Sequence, residues 1–158
     1  VRQRHIALSE VAAGRLRLVE AIDVPTHGEG AKRRVHVGAV LDFVQRHNPD
    51  AAMIERAQAM PDQGSSSGFI YGRAVGALEA CVEGLGIPLT VIESSAWKKH
   101  HRLSGRDHAG EKMPPARVKE NSRQRALMLF PTARGLDRKK DHNRAEAVLI
   151  AAFGAATA

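Results

Sequence analysis

The chain has 158 residues, and 24 lysines and arginines against 17 aspartates and glutamates give a formal net charge of +7. A chain of this length can bury one full hydrophobic core, so we predict a single domain over residues 1–158. The positive charge favours a polyanionic partner, nucleic acid before an anionic membrane, over an acidic protein or a neutral metabolite. No run approaches the roughly 18 apolar residues of a membrane span, and no secretory signal is recognisable, so we expect a cytoplasmic protein without a membrane partner.

The first third of the sequence predicts an antiparallel hairpin followed by a helix. Two apolar segments, HIALSEV and RLRLVEAIDV, flank a short AAG turn, and the second segment alternates at Leu16 and Leu18. After the polar loop PTHGEGAKRR, Val37, Val40 and Val44 recur at helical spacing until HNPD ends the pattern.

The middle of the chain predicts two parallel strands joined by a helix. The short run AAMIE ends in Glu55, and the loop AMPDQGSSSG leads into a helix rich in small residues, FIYGRAVGALEACVEGLG. The only cysteine, Cys81, falls on the apolar face of this helix, so we expect a buried structural thiol and no internal disulfide. A second strand, LTVIE, follows Pro88, and the serines of SSAWKKHH are expected to cap a short helix.

The last third is basic before it becomes helical. Residues 97–125 hold nine lysines and arginines against three acids, and glycines and a proline pair interrupt them, so we predict a partly mobile loop. A helix in VKENSRQRALMLF then ends before Pro131, and a final helix contains Glu146. The whole order predicts an α/β fold with a mixed sheet, in which an antiparallel N-terminal hairpin is followed by parallel strands, flanked by helices.

Three carboxylates predict a divalent metal site. Glu55 ends a strand that should be buried, while Asp141 and Glu146 lie at the start of the last helix. Hard oxygen ligands of this kind bind Mg²⁺, with Mn²⁺ as the alternative, and such a site can cleave phosphodiesters. Structural zinc is not expected, because one cysteine allows no zinc-finger spacing.

The start of the last helix leaves alternatives open. Glu146 shares a helix face with His142 and Leu149, where an unpaired carboxylate would be costly, and metal ligation would remove that cost. Asp141 is five residues before Glu146 and can join it only from the non-helical lead-in. Asp141 could instead be a helix N-cap, and His142 or Asn143 could supply the further contact.

A basic surface that neutralises phosphates is the second predicted feature. Its default interpretation is a solvated surface, and the default for Trp97 is a packing residue, yet the local excess exceeds what solubility needs. A second cluster, at Lys32, Arg33 and Arg34, could extend it. The predicted DNA-binding residues are Lys98, Lys99, Arg102, Arg106, Lys112, Arg117, Lys139 and Lys140.

Four segments resemble the RuvC-type crossover-junction endodeoxyribonucleases, or Holliday junction resolvases, especially their small phage and prophage-like branch. These segments are MIERAQAMPDQGSSSGFIYGRAVGALEA, IPLTVIESSAWKKHHRLSG, KENSRQRALMLFP and RKKDHNRAEAVLIAAFG. The resemblance implies an RNase H-like fold, a homodimer and the cleavage of four-way DNA junctions by paired nicks with two magnesium ions. It places the family's acids on Glu55, Asp141 and Glu146. The family's usual spacing of three would select Asn143 with Glu146, so His142 or Asp141 is the candidate substitute.

The family's opening strand, of the form GIDPG, has no counterpart in this sequence, and the predicted hairpin corresponds to the family's second and third strands. We expect the protein to start upstream of Val1; the alternative is a variant that lost the first acid, for which Glu10 or Asp23 would have to compensate. The sequence therefore predicts a magnesium-dependent, structure-selective endonuclease that resolves Holliday junctions. The alternative is a catalytically impaired module that binds branched DNA. A helix over residues 69–85 could form the two-fold contact of the homodimer.

Overall fold

The computed structural model describes residues 5–58 and 64–157, which form two compact units. The hairpin unit comprises residues 5–23 and 93–157, and the parallel unit comprises the described residues between 24 and 92. The prediction of one domain over residues 1–158 stays a prediction.

The hairpin unit begins with two antiparallel strands, β1 (His5–Ala12) and β2 (Arg15–Asp23). Their register runs from His5 opposite Asp23 to Ala12 opposite Arg15, with an irregularity between Leu8 and Ser9. Ala13 and Gly14 both take positive φ values, as the tight turn of such a hairpin requires. The predicted hairpin is therefore confirmed.

Three helices complete the hairpin unit: α3 (Ser94–His100), α4 (Pro115–Leu129) and α5 (His142–Thr157). Helix α5 packs against both strands of the hairpin and against the other two helices. Its buried face joins Trp97 of α3 in the core, where Trp97, Val148 and Leu149 have no exposed surface. Trp97 is thus the packing residue that was predicted.

Two helix starts in the hairpin unit differ from the prediction. The N-cap of α3 is Glu93, without a side-chain cap, so the serines lie inside the first turn and do not cap it. Helix α4 begins at Pro115, because a proline is well tolerated in the first turn, where its missing N–H has no intrahelical partner. This start moves residues 115–117 from the predicted loop into the helix.

The parallel unit contains the two parallel strands of the predicted fold. Strand β5 (Ala52–Glu55) pairs in parallel with β6 (Leu89–Ile92), and Glu55 lies opposite Ile92. A small antiparallel pair, β3 (Thr26–His27) with β4 (Arg34–Val35), precedes helix α1 (Val37–His47), which ends at Asn48 in the left-handed conformation.

Helix α2 (Ser65–Gly84) connects β5 to β6 and buries Cys81, as predicted. The helix starts at Ser65, whereas the sequence predicted a loop through Gly68; the serines form its first turn. Part of the predicted loop, residues 59–63, lies outside the described residues. The α/β class with an antiparallel hairpin, parallel strands and flanking helices is confirmed. In the described parts of the chain, no helix has the length and apolar character needed to cross a membrane.

Candidate metal and nucleic-acid site

Glu55 is the last residue of β5, as the sequence predicted. The backbone N–H of Arg56 donates to the carbonyl of Ile92 at 2.8 Å, so the pairing with β6 continues past Glu55 and fixes its backbone. All four residues of β5 are only partly buried, so the expectation of a buried strand was wrong. Glu55 thus lies at a hydrogen-bonded strand end, in the parallel unit.

Asp141 lies in a 3-10 turn, Lys139–Asp141, immediately before α5, and is 6% exposed. Both carboxylate oxygens are engaged by Arg138: Oδ1 accepts from Nη2 at 2.8 Å, and Oδ2 accepts from the backbone N–H at 3.0 Å. The hydrogen bond from the Arg138 side chain is the main reason why the pKa of Asp141 lies below its usual value. Asp141 is therefore a capping residue of this turn rather than an open carboxylate.

The other candidates lie in the first turns of α5. His142, Asn143 and Glu146 are each partly buried, and Glu146 follows the fully buried Ala145. Nδ1 of His142 lies 3.1 Å from the carbonyl of Lys139, and since a carbonyl can only accept, Nδ1 carries the proton in this contact. His142 would thus offer Nε2 to any ligand.

Among residues 5–58 and 64–157, no three His, Cys, Asp or Glu side chains come together in a group that could hold a metal ion. The donor chemistry of Glu55 and Glu146 suits Mg²⁺. Asp141, with both oxygens bound to Arg138, does not fit as an additional ligand in this arrangement. The ligand set Glu55, Asp141 and Glu146 stays a prediction.

Asp23 and Glu10 were the residues expected to compensate for a missing acid. Asp23 ends β2 and accepts a hydrogen bond from Nη2 of Arg144 in α5, and its Oδ1 lies 2.8 Å from Nδ1 of His5. Burial opposes the charge of Asp23, but the hydrogen bonds and charges of Arg144 and His5 together outweigh it, so the pKa of Asp23 is lowered. Glu10 lies 3.6 Å from Arg17, an exposed pair of little energetic weight. Asp23 thus ties the hairpin to α5.

The predicted DNA-binding residues all lie in the hairpin unit. Each is exposed except Lys98, which is partly buried with its Nζ 5.2 Å from the centre of the Trp97 ring. Arg106 is held by its own loop, because its Nη1 donates to the carbonyl of Gly110 at 2.8 Å. The second basic cluster, Lys32 to Arg34 in sequence, belongs to the parallel unit.

Sequence reasoning missed one buried cation, Arg123. Its Nη1 donates to the carbonyl of Leu136 at 2.7 Å, and its Nη2 donates to Glu120 at 2.6 Å. The spacing of three residues between Glu120 and Arg123 on one helix was the available signal. In a segment this basic, Arg123 could not be told apart from the exposed cations.

Solved structures of another protein are similar in fold to this chain. Thermus thermophilus RuvC in complex with a Holliday junction substrate is similar with a TM-score of 0.63 at 20% sequence identity, covering 95% of this chain and 85% of that one. Another structure of Thermus thermophilus RuvC has a TM-score of 0.57 at 20% identity, covering 94% of this chain and 92% of that one. No protein-family model and no curated protein matches the sequence. The chain therefore has a RuvC-like fold, as the resemblance of the four segments implied.

Proposed function

We propose that this chain is a structure-selective DNA endonuclease that resolves four-way junctions by paired nicks. The observation that carries the proposal is the similarity to a RuvC structure bound to a Holliday junction, over 95% of this chain. The net charge of +7 and the exposed lysines and arginines of the hairpin unit support a DNA partner, because phosphate neutralisation dominates such binding.

Within this proposal the activity depends on Mg²⁺, with Mn²⁺ as the alternative, and it requires both Glu55 and Glu146. A bound divalent ion would supply an activated water and stabilise the leaving oxygen of the phosphodiester. The protein's own contribution is positional: the pairing of β5 with β6 fixes Glu55, and the packing of α5 on the hairpin fixes Glu146. The exposed cations, among them Lys99 and Arg102, hold the phosphates.

We also propose that the active species is a homodimer. A four-way junction is cut at two equivalent positions, and two copies related by a two-fold axis present two equivalent sites. Helix α2 offers a suitable face, because Phe69 is 70% exposed and Gly72, Gly76 and Ala80 follow along the same exposed side.

The test is nicking of a synthetic four-way junction in Mg²⁺, with Glu55→Gln and Glu146→Gln as variants. Each substitution should lower the rate by about 100-fold or more, since even residues that only orient metal ligands contribute 10–100-fold. Asp42→Asn, the same charge change at an exposed position of α1, should cleave normally. Full activity in the Glu55→Gln variant would remove Glu55 from the mechanism.

A second candidate is a module that binds branched DNA without cutting it. Both carboxylate oxygens of Asp141 accept hydrogen bonds from Arg138, so one predicted metal ligand is already occupied. This favours the second candidate. It predicts salt-sensitive binding of the junction and no metal-dependent product. Comparing turnover of junction, flap and RNA–DNA hybrid in the same assay also separates junction resolution from a broader RNase H-like activity.

A further inference from the structure

The segment that precedes α5 accepts hydrogen bonds from two arginine side chains, one buried and one partly buried. We call residues 135–141 the basic turn. Nη1 of Arg144 donates to the carbonyl of Gly135 at 3.1 Å, and Nη1 of Arg123 donates to the carbonyl of Leu136 at 2.7 Å. Leu136 itself has no exposed surface. The first part of the basic turn is therefore anchored by its backbone and by an apolar side chain.

Glu120 holds the guanidinium of Arg123 in position. Nε of Arg123 donates to Oε2 at 3.0 Å and Nη2 donates to Oε1 at 2.6 Å, a two-pronged pair one helical turn apart. The bonds from Arg123 and Gln124 lower the pKa of Glu120 to about 2. Glu120 is thus ionised at neutral pH and holds the guanidinium in place.

Asp141 closes the far end of the basic turn. Its carboxylate binds the side chain and the backbone N–H of Arg138, and its own N–H donates to the carbonyl of Arg138 at 2.9 Å. Nδ1 of His142 lies 3.1 Å from the carbonyl of Lys139. Between these fixed points Lys139 and Lys140 are exposed.

We propose that the basic turn is a preorganised phosphate-binding element and that Asp141 is its positioning residue. This inference rests on the proposed DNA-directed function and assigns Asp141 to DNA binding rather than to the metal. Because the backbone is already ordered, Lys139 and Lys140 lose less conformational entropy when they bind phosphates. Arg138 neutralises the charge of Asp141, so the acid does not repel the DNA.

The experiment measures junction affinity in EDTA, at several salt concentrations between about 50 and 200 mM. Asp141→Asn replaces one acceptor oxygen with a donor that faces the N–H groups of Arg138, so the turn should loosen and the affinity should fall by about five- to tenfold. Asp137→Asn is the matched control, because it removes the same charge from an exposed position of the same turn. Its affinity should stay unchanged or rise, since one repulsive charge is lost.

Two further measurements separate positioning from folding and from metal ligation. The double variant Lys139→Ala, Lys140→Ala changes only exposed side chains, and it should reduce the magnitude of the salt slope by up to about 1.8, or 0.9 per lost phosphate contact. The slope of Asp141→Asn should shrink in the same direction, and Asp141→Glu should restore part of it. Mn²⁺ affinity without DNA, followed by electron paramagnetic resonance, should be unchanged in Asp141→Asn.

Unchanged or tighter junction binding by Asp141→Asn, together with weaker Mn²⁺ binding, would overturn the inference and make Asp141 a metal ligand. If Asp141→Asn does not fold, an unchanged salt slope in the double lysine variant overturns the inference just as well. A wild-type chain that binds no junction DNA would instead overturn the proposed function itself.

Discussion

Gly135 is the residue of the basic turn that no other amino acid should replace. Its φ is +76°, a left-handed conformation that costs a residue with a Cβ about 1–2 kcal/mol. A Cβ at this position would also overlap the guanidinium of Arg144. Gly135→Ala should therefore lower the free energy of unfolding by more than this strain alone, because Arg144 must also release Gly135 or Asp23.

Chemical denaturation measures this effect, and Gly110→Ala is its control. Gly110 lies in the same unit with a φ of +83°, but a Cβ there meets nothing within 4 Å. In the control variant, the free energy of unfolding should fall only by the cost of the backbone strain. Equal losses of stability in the two variants would mean that the contact with Arg144 carries no weight.

At the same scale, the sequence was informative where burial and chain position agree. Glu55 could be placed at a strand end because an apolar run stops there, and Trp97 could be placed in the core because large aromatic side chains are buried by default. Asp141 was ambiguous, since an acid before a helix suits both a cap and a metal ligand. Its bond to Arg138 depends on turn geometry that side-chain spacing does not reveal.

His101 connects two elements, α3 and α5. It is 3% exposed, and its Nε2 lies 2.7 Å from the carbonyl of Leu149, so the neutral ring donates this hydrogen bond. Burial lowers the pKa of His101 below the ordinary value of 6.5. The unfolded chain therefore binds a proton near pH 6.5, whereas the folded chain binds it only at a lower pH. For this reason the free energy of unfolding should fall as the pH drops from about 7 through 6.5.

His101→Gln tests this coupling, because the glutamine amide can donate the same bond without titrating. We expect the variant to lose less stability than the wild type between pH 7 and the lower folded pKa, as measured by thermal unfolding. The wild type and the variant share His5, whose pKa is also lowered by burial, so some dependence remains. His108→Gln, at an exposed position, should follow the wild-type curve; identical curves for all three proteins would contradict the assignment.

Among the elements, strands and long amphipathic helices were predictable, whereas their ends were not. The alternation of β2 and the apolar face of α1 are set by periodicity, which the sequence displays directly. The start of α2 at Ser65 was missed because serine and glycine are typical of loops, although serine disfavours a helix only weakly. For the same reason the serines of α3 were predicted to be helix caps, whereas they lie in the first turn.

For the whole molecule, hydrophobic periodicity predicted the α/β class and the resemblance of four segments implied the RuvC-like fold, but the contacts between residues far apart in the sequence could not be predicted. The bond between Arg144 and Asp23 joins residues 121 positions apart, and no pattern in the sequence links them. Assembly is a further property that composition cannot give. It depends on which apolar surface stays exposed once each unit has folded.

The exposed face of α2 gives the last prediction, which concerns the proposed homodimer. Phe69 is 70% exposed, and no atom lies within 4 Å of a Cβ added at Gly72 or Gly76, so a second helix could approach closely. Phe69→Glu should shift the chain from dimer to monomer in sedimentation experiments and lower paired nicking more than single nicking. Met128→Glu, at a side chain that is 71% exposed on α4, is the matched control and should leave the dimer intact. A wild-type chain that sediments as a monomer at micromolar concentration, or a Phe69→Glu variant that remains dimeric, would show that this face is not the interface.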